Sequence, residues 1–176
     1  MTNAEKSFEK EKEMYRNNLN CLKTAMKYCI KRSTKLIHLS STSVYGKQTD
    51  LVDENCGMRF LKPQSPYAKI KLIEERLLKK NSNKLRYSTF RFGTIAGVAR
   101  GIGFHTAVSN FCLNAAIGEK IKKRIKIVYF NSPIMNQLSY HVDDKKIKKK
   151  GLILKSNIDV DIKDTLLLFK NLKNEM

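Results

Sequence analysis

The sequence has no apolar run that approaches the roughly 20 residues of a membrane-spanning helix. Its N-terminal stretch, MTNAEKSFEKEKEMYRNN, is charged from the start and contains no apolar core of a signal peptide. These two absences argue against a secreted or membrane protein. We therefore expect a cytoplasmic protein without a membrane partner.

Metal-binding patterns are also absent from the sequence. None of the four cysteines belongs to a C-x-x-C pair, and each of the three histidines stands alone. No metal site is therefore predicted. Cys29 and Cys112 lie on apolar stripes, so we expect them to be small buried residues in a reducing compartment.

Acidic residues are scarce relative to basic ones. The chain has 35 Lys and Arg against 16 Asp and Glu, which gives a formal net charge of +19. Such a charge suggests a polyanionic partner. The lysines, however, are spread through nearly every segment, and no aromatic-rich basic motif appears. A solvated basic surface is therefore the simpler interpretation, and a nucleic-acid partner is the less favoured one.

The first half of the chain predicts a helix, a strand and a second helix. Apolar residues at helical spacing run to about residue 31; they are Tyr15, Leu19, Leu22, Met26 and Cys29. The apolar run KLIHL then predicts a buried strand that ends in SSTSVYG. Residues 46–65 have no period and predict a loop. A helix begins at Pro66, because proline suits a first turn, and its apolar stripe continues through Ile70 and either Ile73 or Glu74.

The second half continues the alternation of strands and helices. The predicted elements are the strand LRYSTFRFG, the helix FHTAVSNFCLNAAIG with Phe104, Val108, Phe111 and Ala115 on one face, the strand IKIVYF, a short helix at 143–150 and a terminal helix marked by Ile162, Leu166 and Phe169. Strands that alternate with helices indicate an α/β fold with a parallel sheet covered by helices.

This topology gives SSTSVYG and the helix after it a chemical meaning. Ligands of open α/β sheets gather at the carboxyl ends of the strands, where SSTSVYG lies. Tyr67 and Lys71 stand four residues apart on one helix face. An adjacent ammonium lowers the pKa of a phenol, and Ser41 can bond the same substrate oxygen. Together they can take a proton from an alcohol while a nicotinamide accepts its hydride.

The spacing by itself decides nothing. A chain with seven tyrosines and this much lysine is expected to contain a Y-x-x-x-K pattern by chance. The wider sequence context has to carry the interpretation.

That context is a family resemblance. HLSSTSVYG followed by PQSPYAKIKLIEE closely resembles the extended short-chain dehydrogenase/reductase family, and within it the sugar-nucleotide epimerases and dehydratases such as the UDP-glucose 4-epimerases. RFGTIAG resembles the family's turn towards the sugar-nucleotide pocket, and NNLNCL resembles the start of a helix near the cofactor. The resemblance covers residues 15–120, and the remainder more loosely.

The resemblance implies roles for three residues at the centre of the site. Tyr67 is expected to be the catalytic base or acid. Lys71 is expected to tune the phenol and to hold the nicotinamide ribose of NAD or NADP. Ser41 is expected to bond the reacting sugar oxygen.

Further contacts follow from the same resemblance. Asn18 is expected near the cofactor, and Thr42 and Thr94 near a sugar-nucleotide substrate, although many relatives carry Asn where Thr94 stands. The dehydratase branch places an Asp-Glu pair directly after its Ser or Thr, whereas this chain has Thr42 and Ser43. Hydroxyls cannot supply the acid and base that expel water, so an epimerase or reductase is favoured.

One hallmark of the family is missing from the sequence. Relatives open with a strand and a glycine-rich turn, G-x-x-G-x-x-G, that receives the dinucleotide pyrophosphate. None of the eight glycines here precedes residue 46. We therefore expect an incomplete Rossmann-like sheet with flanking helices: residues 1–120 form a partial NAD(P)-binding domain with the catalytic motif, and residues 121–176 form a reduced C-terminal substrate-side region.

Three functional hypotheses remain at this stage. The favoured one is a truncated NAD(P)-dependent sugar-nucleotide epimerase or related oxidoreductase. The second is a catalytically silent remnant that binds a sugar nucleotide or pairs with a full-length relative. The partner predicted for the chain, besides a sugar-nucleotide substrate, is a second copy in a homodimer or such a full-length relative. The third is a basic nucleic-acid-binding protein.

Overall fold

The computed structural model describes residues 7–46, 48, 51–100, 102–103, 106–117, 142–152 and 157–174. The helices and strands in chain order are α1 (Glu11–Lys31), β1 (Leu36–Ser41), α2 (Pro66–Lys80), β2 (Tyr87–Phe92), α3 (Ala107–Ile117), α4 (Lys145–Lys149) and α5 (Ile158–Asn174). The predicted α/β class is confirmed. The predicted strand IKIVYF lies outside the described residues.

The chain divides into two compact units. The first consists of Met1–Gly93 and Ser132–Lys146, and the second of Thr94–Asn131 and Ile147–Met176. The first unit contains the sheet and both stretches that the sequence marks as functional. Within the part of the chain that the structure describes, no helix is long and apolar enough to cross a membrane.

The sheet of the first unit has two parallel strands in the described residues. Leu36 pairs with Tyr87 at one end, and Ser41 pairs with Phe92 at the other. Parallel neighbours need a crossover, and α2 supplies it, as the alternating pattern predicts. The carboxyl ends of both strands therefore meet at one edge of the sheet.

Strand β1 is not buried on both faces, contrary to the sequence prediction. His38 and Ser40 are buried beneath α2, whereas Ile37 and Leu39 are 62% and 57% exposed. The physical reason is that α1 and α2 pack on the face of Leu36 and His38, and the described residues leave the opposite face uncovered. Strand side chains alternate between faces, so every second apolar residue lies in solvent.

Helices α1 and α2 form the apolar centre of this unit with the sheet. Leu22 and Met26 of α1 contact the fully buried Leu78 of α2 and Leu85 before β2. Tyr15 is exposed, so the buried face of α1 is rotated towards Met14 relative to the prediction. Full burial of such aliphatic side chains contributes about 1.5–3 kcal/mol each.

Helix α2 begins where the sequence predicts. The Ser65 side chain caps it by accepting a hydrogen bond from the amide of Ala68 at 3.1 Å, and Pro66 occupies the first turn. This cap fixes the residue at which the helix starts. It therefore fixes the place of Tyr67 in the first turn.

The second unit is built on a helix pair. Cys112 and Ala116 of α3 pack against Phe169 of α5. Phe111, which the sequence places on the apolar face, is 72% exposed, because the buried stripe lies one residue further along the helix. Cys112 is buried as expected, while Cys29 of the first unit is only half-buried.

Gly46, which closes SSTSVYG, has a conformation and surroundings that only glycine tolerates. Its φ is +66°, and a Cβ atom there would overlap the carbonyl oxygen of Lys62, with which Gly46 forms a β-bridge. We expect Gly46→Ala to lower the free energy of unfolding by about 1–3 kcal/mol or more. Chemical denaturation measures this.

Gly57 in the same loop provides the matched control. Its φ is −59°, and a Cβ there would lie 3.5 Å from the nearest atom of the Phe60 ring, an ordinary contact. Gly57→Ala should change the stability by less than about 0.5 kcal/mol. Equal losses in both variants would contradict the described loop.

Candidate active site

The candidate site lies at the edge where both strands end. Ser41 and Phe92 form the last pair of the register, and Thr42 and Gly93 follow them. A Cβ on Gly93 would lie 4.0 Å from Oγ1 of Thr42, so the two chain segments remain adjacent beyond the strands. This is the edge at which open α/β sheets bind ligands.

Ser41 has a single free hydrogen-bonding function. Its Oγ accepts from the backbone amide of Ser43 at 3.2 Å and from the Ser43 hydroxyl at 2.8 Å, and it thereby caps the single-turn helix Thr42–Val44. A hydroxyl has two acceptor positions and one proton. With both acceptor positions used, the Ser41 proton is the part that it can still donate.

Tyr67 is the group that Ser41 meets. The Ser41 hydroxyl is close enough to the phenol to lower its pKa, although the two residues lie in different elements, the end of β1 and the first turn of α2. Tyr67 is half-buried. The structure thus brings together the serine and the tyrosine that the sequence singles out. Their catalytic roles stay predictions.

Lys71 lies one turn further along the same face of α2. Its Nζ donates to the carbonyl oxygen of Leu39 at 3.0 Å and to Oε2 of Glu74 at 2.9 Å. It lies 5.9 Å from the centroid of the Tyr67 ring. The ammonium is therefore beside the phenol, but its positive charge is paired with a carboxylate.

The phenol of Tyr67 does not have the lowered pKa that the sequence predicts. Burial raises the pKa of Tyr67 above its ordinary value, the Glu74 carboxylate raises it further, and the hydrogen bond with Ser41 opposes both. The prediction counted the ammonium of Lys71 and missed the carboxylate beside it. At neutral pH the phenol is protonated.

Glu74 is the residue at this site that sequence reasoning missed. Its Oε2 is 2.9 Å from Nε2 of His38 as well as from Lys71, and only 3% of the residue is exposed. Burial is the strongest influence and raises the pKa of Glu74, but the hydrogen bonds from His38 and Lys71 together outweigh it and hold the pKa below its ordinary value. The signal was its spacing, three residues after Lys71 and seven after Tyr67.

A second pair of side chains ties α2 to the sheet next to this cluster. Glu75 forms a bidentate ion pair with Arg91 of β2, at 3.0 and 2.7 Å, and its Oε1 accepts from the hydroxyl of Ser40 at 2.6 Å. Arg91 also lies 4.8 Å from the ring centroid of the buried Tyr45. The serine doublet is therefore divided: Ser40 anchors the helix, and Ser41 faces the site.

The remaining predicted residues lie in different places. Asn18 is buried on α1, and Thr42 is half-buried directly after β1. Thr94 belongs to the second unit and is exposed. The binding roles given to these three residues stay predictions.

The site fits one end of a dinucleotide. Hydroxyl, phenol and ammonium groups of the kind that hold a nicotinamide ribose converge at the strand ends. The glycine-rich turn for the pyrophosphate has no counterpart in the sequence before β1. In the described part of the chain, His, Cys, Asp and Glu form no group of three that could hold a metal ion.

Comparisons with known proteins agree with this geometry. The NAD dependent epimerase/dehydratase family matches residues 2–133. UDP-glucose 4-epimerase from Brucella ovis, solved in complex with NAD, is similar in structure with a TM-score of 0.58 and 24% identity, over 66% of this chain and 38% of that one. No curated protein matches.

Two further solved structures share the fold. RMD from Pseudomonas aeruginosa, complexed with NADPH, has a TM-score of 0.71 at 12% identity and covers 97% of this chain and 79% of its own. UDP-glucuronic acid 4-epimerase from Bacillus cereus, in complex with NAD, has a TM-score of 0.58 at 16% identity. The match covers 86% of this chain and 66% of the Bacillus cereus enzyme.

These likenesses show a Rossmann-like fold, and the chain spans only 38% of the length of the Brucella ovis enzyme. The family match covers well over half of the chain, and it includes β1, α2, β2 and the site between them. The protein belongs to the NAD dependent epimerase/dehydratase family.

Proposed function

We propose that the chain carries the proton-transfer half of an NAD(P)-dependent sugar-nucleotide epimerase. The observation that supports this most strongly is the convergence of Ser41, Tyr67 and Lys71 at the carboxyl ends of two parallel strands. Hydroxyl groups of a sugar are the substrate class that such a pair can bind and deprotonate.

The roles of the residues follow from their geometry. Ser41 turns its one proton, which acts on the Tyr67 phenol in the free site, to the reacting sugar oxygen and orients that oxygen towards Tyr67. The phenol gives a proton to that oxygen, or takes one from it when ionised. Lys71 supports the ionised phenol once its ammonium is no longer fully taken up by Glu74 and the Leu39 carbonyl.

NAD(P), when bound, supplies hydride acceptance and return at the sugar carbon. Tyr67 and Lys71 are the residues that would hold its nicotinamide ribose. In this family a glycine-rich turn binds the pyrophosphate of the cofactor, and the sequence contains no such turn before β1. An epimerase is favoured over a dehydratase because Thr42 and Ser43 follow Ser41 where an acid and a base would be needed.

One observation favours a second candidate, a catalytically silent partner of a full-length relative. Ile37 and Leu39 expose an apolar face on β1, and parallel sheets are normally covered on both faces. A chain that binds another protein through this face can retain the site residues without turning over substrate.

Cofactor binding tests the proposal. We expect the chain alone to show no saturable binding of NAD(H) at micromolar concentrations by calorimetry, because no glycine-rich turn precedes β1 in the sequence to hold the pyrophosphate. Adding a fragment that carries a glycine-rich βαβ unit of a sugar-nucleotide epimerase should produce binding and interconversion of UDP-sugars. Tyr67→Phe should then reduce turnover about 100-fold or more, with cofactor binding kept.

The controls separate the two candidate functions. Binding without turnover in the complemented native chain would favour the silent partner. Tight NADH binding by the chain alone would contradict the proposal, since a different cofactor site would then exist.

A further inference from the structure

We propose that Glu74 is a positioning residue that engages the ammonium of Lys71, so that this charge is not free to support an ionised Tyr67. Tyr67, Lys71 and Glu74 occupy successive turns of one face of α2. The contact between Lys71 and Glu74 is a geometric observation, and the raised pKa of Tyr67, to which the Glu74 carboxylate contributes, supports its electrostatic effect. Its catalytic consequence rests on the proposed function.

The Lys71 ammonium is held by two acceptors. It donates to Oε2 of Glu74 at 2.9 Å and to the carbonyl oxygen of Leu39 at 3.0 Å. The ammonium also lies 5.9 Å from the centroid of the Tyr67 ring, so these two acceptors engage it while it is beside the phenol. The lysine side chain is 14% exposed, so little water competes for these hydrogen bonds.

Glu74 carries its negative charge in the folded protein. His38 of β1 and Lys71 of α2 both contact Oε2, and together they hold the pKa of Glu74 low despite its burial. A buried carboxylate with two charge-assisted partners stays ionised at neutral pH. Its negative charge then opposes formation of a second one on Tyr67.

The neighbouring carboxylate shows what is special about Glu74. Glu75 contacts Arg91 and Ser40, on β2 and β1, and contacts neither Lys71 nor Tyr67. Both residues tie α2 to the sheet, but only Glu74 acts on the proton-transfer residues. Glu75→Gln is therefore the matched control, since it removes one part-buried charge, and one contact between α2 and the sheet, from the same helix turn.

The consequence for the proposed reaction concerns the direction of proton transfer. A protonated Tyr67 is ready to donate a proton, and it becomes a base only when pH rises or when Lys71 is released from Glu74. Complemented Glu74→Gln should reach its full rate at lower pH than the complemented native chain. Glu75→Gln should keep the native pH profile.

The decisive experiment titrates Tyr67 directly. We expect carbon NMR of ring-labelled tyrosine, with the signal assigned by its loss in Tyr67→Phe, to show Tyr67 ionising at lower pH in Glu74→Gln than in the native chain. Glu75→Gln should leave the midpoint in place, and Glu74→Asp, which keeps the charge, should keep it nearer the native value.

Two results would overturn the inference: an unchanged Tyr67 midpoint in Glu74→Gln, or an equal shift in both Gln variants. If Glu74→Gln does not fold, the titration midpoint of Tyr67 in Glu74→Asp tests the inference instead. Glu74→Asp keeps the negative charge, so a Tyr67 midpoint well below the native one would contradict an electrostatic role of Glu74. A shifted midpoint with no turnover in the complemented chain would leave the inference intact and count against the proposed function.

The ionised state of Glu74 also predicts a dependence of stability on acid. The titratable groups that face it in the described structure are His38 of β1, and Lys71 and Tyr67 of α2. A folded-state pKa below the ordinary value of 4.5 means that this stabilisation is present above pH 4.5 and is lost as pH falls through the folded pKa. Denaturation at a series of pH values should therefore show a smaller acid loss in Glu74→Gln than in the native chain. An equally steep loss would show that Glu74 is not ionised in the folded protein.

Discussion

Two adjacent carboxylates of α2 hold the helix on the sheet, and the geometry of the site depends on them. Glu74 reaches His38 of β1, and Glu75 reaches Arg91 of β2 and Ser40 of β1. Breaking a buried ion pair by removing one partner costs about 3–5 kcal/mol, which applies to the buried Glu74, whereas the pair of Glu75 and Arg91 is only part-buried. Because both strands are held, the helix can neither rotate nor slide without losing one of the pairs.

This anchoring decides where chemistry can occur. With α2 fixed by its second and third turns, its first turn lies over the end of β1, and Tyr67 meets Ser41. The Ser65 cap and Gly46 fix the chain on either side of that meeting point. Glu74, which anchors α2, also pairs with the ammonium of Lys71. The contact that positions the helix therefore also favours the protonated form of Tyr67.

The sequence predicted the elements well because local signals specify them. Pro66, which suits a first turn, marks a helix start, and the spacing of Tyr67 and Lys71 then places both on one face. The sequence did not decide whether Ile73 or Glu74 lies on the buried stripe of α2. Burial of a carboxylate depends on a hydrogen-bonding partner, and the partner of Glu74, His38, lies 36 residues earlier in the chain. Similarly, the exposure of Ile37 and Leu39 depends on which elements cover the sheet, which strand composition does not encode.

In the proposed function, Tyr67 transfers the proton while hydride leaves the sugar carbon. The most direct measurement mixes the chain, complemented with a glycine-rich βαβ fragment and NAD, with a UDP-sugar in a single turnover, and records nicotinamide absorbance. The account predicts a transient reduced nicotinamide in the native chain and none in Tyr67→Phe. Product formed without any reduction, or an equal signal in Tyr67→Phe, would contradict it.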